Sequence, residues 1–253
     1  MNKFLSTLFL IIFSLTSCGG GDSEACSSLK ASGGDTCSNS ANSLVLLNIN
    51  YNNGQAATCS GTFISLTSIL TAAHCFYAGG SVLGVQVLNS DGQFVDSERG
   101  FINPNFAASG GRSAFDTAIV KVPASFSNSS GVLPQPISFS TPISKGDNLF
   151  AGGFGITDSQ DAIDNIKPVV ITLEAQLIGS GVITANAVNG SNCIGDSGGP
   201  VYLQNNNAIV GVISAGETNN GICVNDGGTV VFSDIAASKD FILSIASDAL
   251  VVD

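Results

Sequence analysis

From Leu44 onward the chain reads as short apolar or alternating runs cut by Gly, Asn, Asp and Pro. Residues 44–49, 61–64, 82–88, 117–122, 148–152, 169–177, 209–214 and 228–232 each have the length and residue types of a strand. Branched and aromatic side chains suit a pleated, half-buried surface, and short strands at this spacing predict an all-β sandwich or barrel. Asp91-Gly92 predicts a hairpin turn. The Ser- and Pro-rich stretch 125–142 predicts a linker between two β units. One helix is expected at the end, over about 238–250, with Ser238 as N-cap and Phe241, Ile242, Ile245 and Leu250 near one face. Residues 19–42 are rich in Ser, Gly and Asn without apolar periodicity, and read as a tether or loop.

Composition narrows the class. At 253 residues, 44% hydrophobic and 11% charged, the chain can bury one sizeable core or two small ones packed together. A net charge of −11 with only 8 Lys and Arg argues against nucleic acid, whose phosphates want cations. Lys3 followed by the apolar run 4–15 is too short to span a bilayer, which takes roughly 20 apolar residues, so 1–17 reads as a targeting segment outside the fold. The end of that segment, Leu15-Thr16-Ser17-Cys18, resembles the lipobox of bacterial lipoproteins. The resemblance implies acylation at Cys18, a lipidated leader over 18–42, and residence in the bacterial cell envelope, at the outer membrane, or release outside the cell. Membrane contact is then expected only through the anchor at Cys18.

The remaining cysteines are Cys26, Cys37, Cys59, Cys75, Cys193 and Cys223, and an even set in an exported chain implies disulfides. Six cysteines allow 15 pairings, which the residues alone leave open. With one histidine and no C-x-x-C pair, neither a metal nor another cofactor is expected.

The chemistry centres on Cys193-Ile194-Gly195-Asp196-Ser197-Gly198-Gly199-Pro200, which sets a hydroxyl among glycines beside a carboxylate and opens into the strand-like run 201–203. Such a loop can aim the N–H groups of Gly195 and Ser197 at one point, where an oxyanion would form. A serine nucleophile needs a base, and the chain offers only His74, in Thr71-Ala72-Ala73-His74-Cys75. A base needs an orienting carboxylate. Asp116, in Phe115-Asp116-Thr117-Ala118-Ile119-Val120, is a lone acid heading an apolar strand.

Taken in the order His, Asp, Ser, these motifs resemble the trypsin/chymotrypsin family of serine proteases, over roughly residues 31–248. Cys59-Ser60-Gly61-Thr62-Phe63-Ile64-Ser65 and Ile102-Asn103-Pro104-Asn105-Phe106 belong to the same match. The resemblance implies two packed six-stranded antiparallel Greek-key β-barrels, at about 43–130 and 143–235, with a C-terminal α-helix. It implies a serine endopeptidase acting on protein or peptide substrates as a monomer. Ser197 is then the nucleophile, His74 the base, Asp116 its orienter, and Gly195 and Ser197 the oxyanion donors. Ser214 supports the buried carboxylate, and Ser214, Ala215 and Gly216 pair with extended substrate. The resemblance also implies the disulfides Cys59–Cys75 and Cys193–Cys223, leaving Cys26 with Cys37.

The pocket floor implied by the family falls at Ser191, which disfavours Lys or Arg at P1 unless Glu217 or Asp226 enters. Val230 in place of a glycine would shorten the pocket and favour small or medium apolar residues. Asp196 resembles the structural acid that pairs with an N-terminal amine freed by cleavage. Cutting after Lys30 would free Ala31 for that role, making the chain a zymogen, while an internal base is the other option. The acids between Asp91 and Glu98 read as a solvated hairpin rather than a calcium loop. The competing function is a non-catalytic protease homologue used as a surface protein-binding module, although such relatives usually lose a triad residue and all three stand here.

Overall fold

The computed structural model describes residues 43–252 apart from 78–79, 90–91, 107–113, 130–131, 156–168, 204–206, 220–221 and 224–226. The lipobox, Cys26, Cys37, Lys30, Ala31 and Asp226 therefore lie outside the described residues.

The first unit holds β1 (Leu44–Tyr51), β2 (Ala56–Ser65), β3 (Ser68–Thr71), β4 (Val82–Asn89), β5 (Phe94–Asp96), β6 (Arg99–Ile102) and β7 (Ala118–Lys121). A short helix α1 (Ala124–Ser129) follows. The second unit holds β8 (Asn148–Gly153), β9 (Val169–Gly179), β10 (Val182–Asn189), β11 (Pro200–Leu203), β12 (Ile209–Gly216), β13 (Thr218–Asn219), β14 (Ile222–Cys223) and β15 (Thr229–Asp234). Each predicted run coincides with a strand: β1, β2, β4, β7, β8, β9, β12 and β15. The stretch read as a linker carries α1, then pairs at Ile137 with Ile209 and Val251.

The expected pair of six-stranded barrels is wrong for the first unit. Only the second closes, in the order β10-β15-β12-β11-β8-β9. The first is a curled, open sheet of seven strands, β5-β4-β1-β2-β3-β7-β6, whose edge strands β5 and β6 do not pair with each other. Between them, Ser97 N–H donates to Val85 O at 2.8 Å and Glu98 N–H to Lys121 O at 2.8 Å, so the chain steps from one edge to the other in two residues. β5 is three residues long with Phe94 65% exposed. Leu83 and Gly84 of β4 are exposed as well. An edge strand this short offers few ladder hydrogen bonds, and the crossover at Ser97 and Glu98 already sends its N–H groups to β4 and β7, so β5 and β6 stay unpaired. Strand β13 pairs with β14 outside both sheets.

One apolar cluster fills the first unit and runs on into Tyr202, Ile209, Val212 and Ile235 of the second; another fills the closed barrel around Leu173, Ile183, Val230 and Phe232. Because the first cluster draws on both units, their junction is part of the core. A 3₁₀ turn (Ile235–Ser238) leads into α2 (Lys239–Ile245), shorter than the helix expected. Leu250 is off the helix: its N–H donates to Ile64 O at 3.0 Å and its carbonyl accepts from Ile137 N–H at 2.8 Å, and the tail makes an isolated bridge between Val251 and Ile137. Ser238 occupies the N-cap position without a capping hydrogen bond, since its hydroxyl accepts from Asn103 Nδ2 and Thr117 Oγ1 instead.

Candidate active site

His74 opens a single 3₁₀ turn (His74–Phe76) directly after the fully buried Ala72 and Ala73. Small residues let the chain pass through the core there, and the Cys59–Cys75 disulfide ties the turn to β2. The Tyr51 hydroxyl donates to the Cys75 carbonyl. The imidazole keeps 27% of its surface exposed.

Asp116 sits just ahead of β7 and is completely buried. Its Oδ1 accepts from the His74 backbone N–H at 2.8 Å, and its Oδ2 faces His74 Nδ1 at 2.8 Å. A carboxylate facing Nδ1 places the ring proton there and leaves Nε2 as the acceptor. Ser214 Oγ donates to the same Oδ2. The β12–β15 register shifts between Ile213 and Ala215, leaving Ser214 as the bulged residue. A bulge of this kind re-aims one side chain, here toward Asp116.

The loop 193–199 brings Ser197 beside this pair. Its carbonyl accepts from Ser60 N–H at 2.7 Å and lies 3.9 Å from Cys75 Sγ, and the same sulfur lies 3.9 Å from His74 Nε2. Ser197 and the ring thus flank one sulfur atom. No hydrogen bond joins Ser197 Oγ to Nε2 among the described residues; in unliganded sites such bonds are commonly long and tighten with substrate. Cys59 Sγ, Cys75 Sγ and His74 nitrogen come within 4.8 Å of one another. Both sulfurs are spent in the disulfide, so the group offers a metal one nitrogen and no thiolate.

Gly195 adopts φ +103°, and a Cβ there would lie 3.1 Å from both Gly155 Cα and Phe154 O. At Gly198, a Cβ would lie 2.2 Å from Thr71 Oγ1 and 2.4 Å from Ser60 O. Only glycine permits this approach of the loop to the first unit. Neither the Gly195 nor the Ser197 N–H donates to a group among the described residues.

Asp196 is buried, with Gly155 N–H at 2.7 Å on Oδ1 and Cys193 N–H at 2.8 Å on Oδ2. A Cβ on Gly153 or Gly155 would come within 2.3 Å of the carboxylate. Burial pushes its pKa up to about 6, against the pull of the two amides. The expected amine partner, Ala31, is outside the described residues.

Ser191 is buried, its hydroxyl donating to Asn192 O at 3.3 Å. Gly216 lies opposite Val230 and Ala215 opposite Val231 in the β12–β15 ladder. Glu217 is exposed, and its Oε2 accepts from Thr229 N–H at 3.0 Å, which ties the carboxylate to β15. Cys193 is in a disulfide; Cys223 has its backbone in β14, with its side chain outside the described set.

Three buried contributors were not legible in the sequence. They are the Ser60 hydroxyl, the Gly153–Gly155 cradle of Asp196, and a network in which Asn103 Nδ2 donates to Thr117 Oγ1 at 3.1 Å and to Ser238 Oγ at 3.0 Å. Asn103 and Ser60 both fall inside matched motifs, which was the one signal available.

Residues 32–242 match the family described as Trypsin. The chain is similar to the venom plasminogen activator Haly-PA of Gloydius brevicauda, 30% identical over 187 residues, which cover 67% of this chain and 70% of that protein. Serine protease SP24D of Anopheles gambiae is 27% identical over 62% of each chain. Snake venom serine protease 3 of Protobothrops jerdonii is 35% identical over 49% of this chain and 48% of its own. Among solved structures, HL collagenase superposes with a TM-score of 0.65 at 21% identity, covering 87% of this chain and 97% of that one. At that identity the likeness concerns the fold.

Proposed function

The chain belongs to the trypsin family of serine proteases and is a serine endopeptidase, and from that premise we propose that His74, Asp116 and Ser197 carry its chemistry. The observation behind this reading is the buried Asp116 carboxylate, which takes both the ring and the backbone of His74 and the hydroxyl of Ser214. Nε2, left as the acceptor, removes the Ser197 proton as Oγ attacks the scissile carbonyl. The carbonyl oxygen becomes an oxyanion between the N–H groups of Gly195 and Ser197. His74 then protonates the leaving amine, and the acyl-enzyme is hydrolysed by water through the same two steps. Asp116 holds the tautomer and offsets the imidazolium charge.

Extended substrate pairs with the end of β12 at Ser214, Ala215 and Gly216, as an added strand. Ser191 brings no charge to the pocket floor, and Val230 faces Gly216 across the ladder. Together these favour an uncharged, small to medium apolar P1 residue. The leader supports export and attachment of a monomer to a bacterial envelope through Cys18, and the acidic surface supports protein rather than nucleic-acid partners. Release of Ala31 by cleavage after Lys30 would give Asp196 a cation. Digestion of a peptide library by purified protein tests the reading: cuts after uncharged residues, abolished in Ser197→Ala, are expected, and equal cutting by that variant would overturn it.

A further inference from the structure

Ser60 lies in β2, 135 residues away in sequence from the loop it touches, and is completely buried. Its hydroxyl donates to Gly195 O at 2.8 Å and accepts from Phe154 N–H at 2.8 Å. Its backbone N–H donates to Ser197 O at 2.7 Å, and its carbonyl accepts from Thr71 Oγ1 at 2.8 Å. One residue of the first unit is therefore bonded to both glycine-loop positions whose N–H groups would face the oxyanion. Through Phe154 it also touches the segment that gives Gly155 N–H to Asp196.

Gly195 has no Cβ and sits at φ +103°, a region glycine enters without steric cost, so its own backbone does little to hold its N–H in one direction. Ser60 holds the Gly195–Asp196 peptide at its oxygen, and the N–H end of the same peptide donates to Cys193 O at 3.1 Å. The intervening Ile194–Gly195 peptide, which carries the Gly195 N–H, is thus bracketed at both ends and limited in its rotation. Loss of the hydroxyl would leave two buried backbone groups, Gly195 C=O and Phe154 N–H, without this partner. Unpaired buried groups are costly enough to make a loop turn in search of others.

We propose that Ser60 is a positioning residue for the oxyanion hole, its side-chain hydroxyl holding Gly195 in the orientation that aims its N–H at the developing charge. The inference rests on the assignment of Ser197 and Gly195 made above. Ser60 does not touch substrate; it acts through the loop.

The test compares wild type with Ser60→Ala and Ser60→Gly. The kcat and KM are measured for a peptide amide the wild type cleaves, together with the affinity of a peptidyl boronic acid. The boronate forms a tetrahedral adduct on the nucleophile and places an oxygen where the oxyanion would sit. Both variants are expected to lose about tenfold in kcat, the size of one ordinary hydrogen bond, with KM within about twofold and boronate affinity weakened in proportion. That is less than the 10²–10³ or so lost when an oxyanion donor is itself removed. A kcat within about twofold of wild type, an effect confined to KM, or failure of both variants to fold overturns the proposal, since the hydroxyl would then serve only packing. A folded wild type with no activity would instead overturn the Ser197 assignment, so the two failures are distinguishable.

Discussion

Asp116 engages His74 twice, with one carboxylate oxygen on the backbone N–H and the other on ring Nδ1, both at 2.8 Å. The backbone bond places the residue and the ring bond chooses its proton. Asp116→Asn can keep the first, but its amide NH₂ opposes Nδ1–H and favours the tautomer with the proton on Nε2, where the base is needed. Steady-state kinetics of Asp116→Asn should show kcat reduced by about 10⁴ with little change in KM. A loss of less than about tenfold would mean that the carboxylate does not set the tautomer.

Asp196 makes stability depend on pH in an unusual direction. Its pKa of about 6 lies above the ordinary 3.8, so the folded protein holds this proton more tightly than the unfolded chain does. The stability it contributes is complete below the unfolded value and is lost as pH rises through the folded one, amounting to about 3 kcal/mol. The melting free energy of wild type minus that of Asp196→Asn should therefore fall between about pH 4 and 6. A difference that rises over that window would show a cation, such as a freed terminal amine, seated on the carboxylate.

The Cys59–Cys75 bridge closes a loop with a sequence separation of 16, and such a closure contributes about 3 kcal/mol. The double variant Cys59→Ser/Cys75→Ser should melt roughly 6–12 °C lower. It should also lose activity while still folded, because His74 adjoins the bridge. Retained kcat at an unchanged melting temperature would separate the bridge from both roles.

Val230 faces Gly216 across β12 and β15, and its side chain is buried in the barrel core. Emptying that core position should lower stability by about 2–4 kcal/mol. If the proposed P1 pocket shares this wall, the folded Val230→Gly variant should raise the kcat/KM ratio of a large over a small apolar P1 residue by about 10-fold or more. An unchanged ratio would place the pocket wall elsewhere.

The legible parts of the chain were those in which one segment carries its own signal. β1, β8 and β12 bury nearly continuous apolar runs, and His74, Asp116 and Ser197 each sit in a short motif. β10 was missed because its inward residues include Ala185 and Ala187 and its sequence includes Asn186 and Asn189, types that are depleted in strands although the in–out alternation is present. β3 follows β2 after only two residues, so Ser68–Thr71 reads as the approach to the histidine motif. Closure of one sheet but not the other depends on pairing between distant strands, and no local pattern encodes it. Ser60 looks like a polar residue filling a strand. Its meaning comes from Gly195 and Phe154, 135 and 94 residues away.

The proposed chemistry turns on Ser197 acting as a nucleophile activated by His74. Intact-mass analysis after exposure to a fluorophosphonate tests it most directly, on wild type, Ser197→Ala and His74→Ala. A single adduct is expected on wild type, none on Ser197→Ala, and labelling slowed by orders of magnitude in His74→Ala. An adduct of equal yield on Ser197→Ala, or a folded wild type that takes up no label, would contradict it.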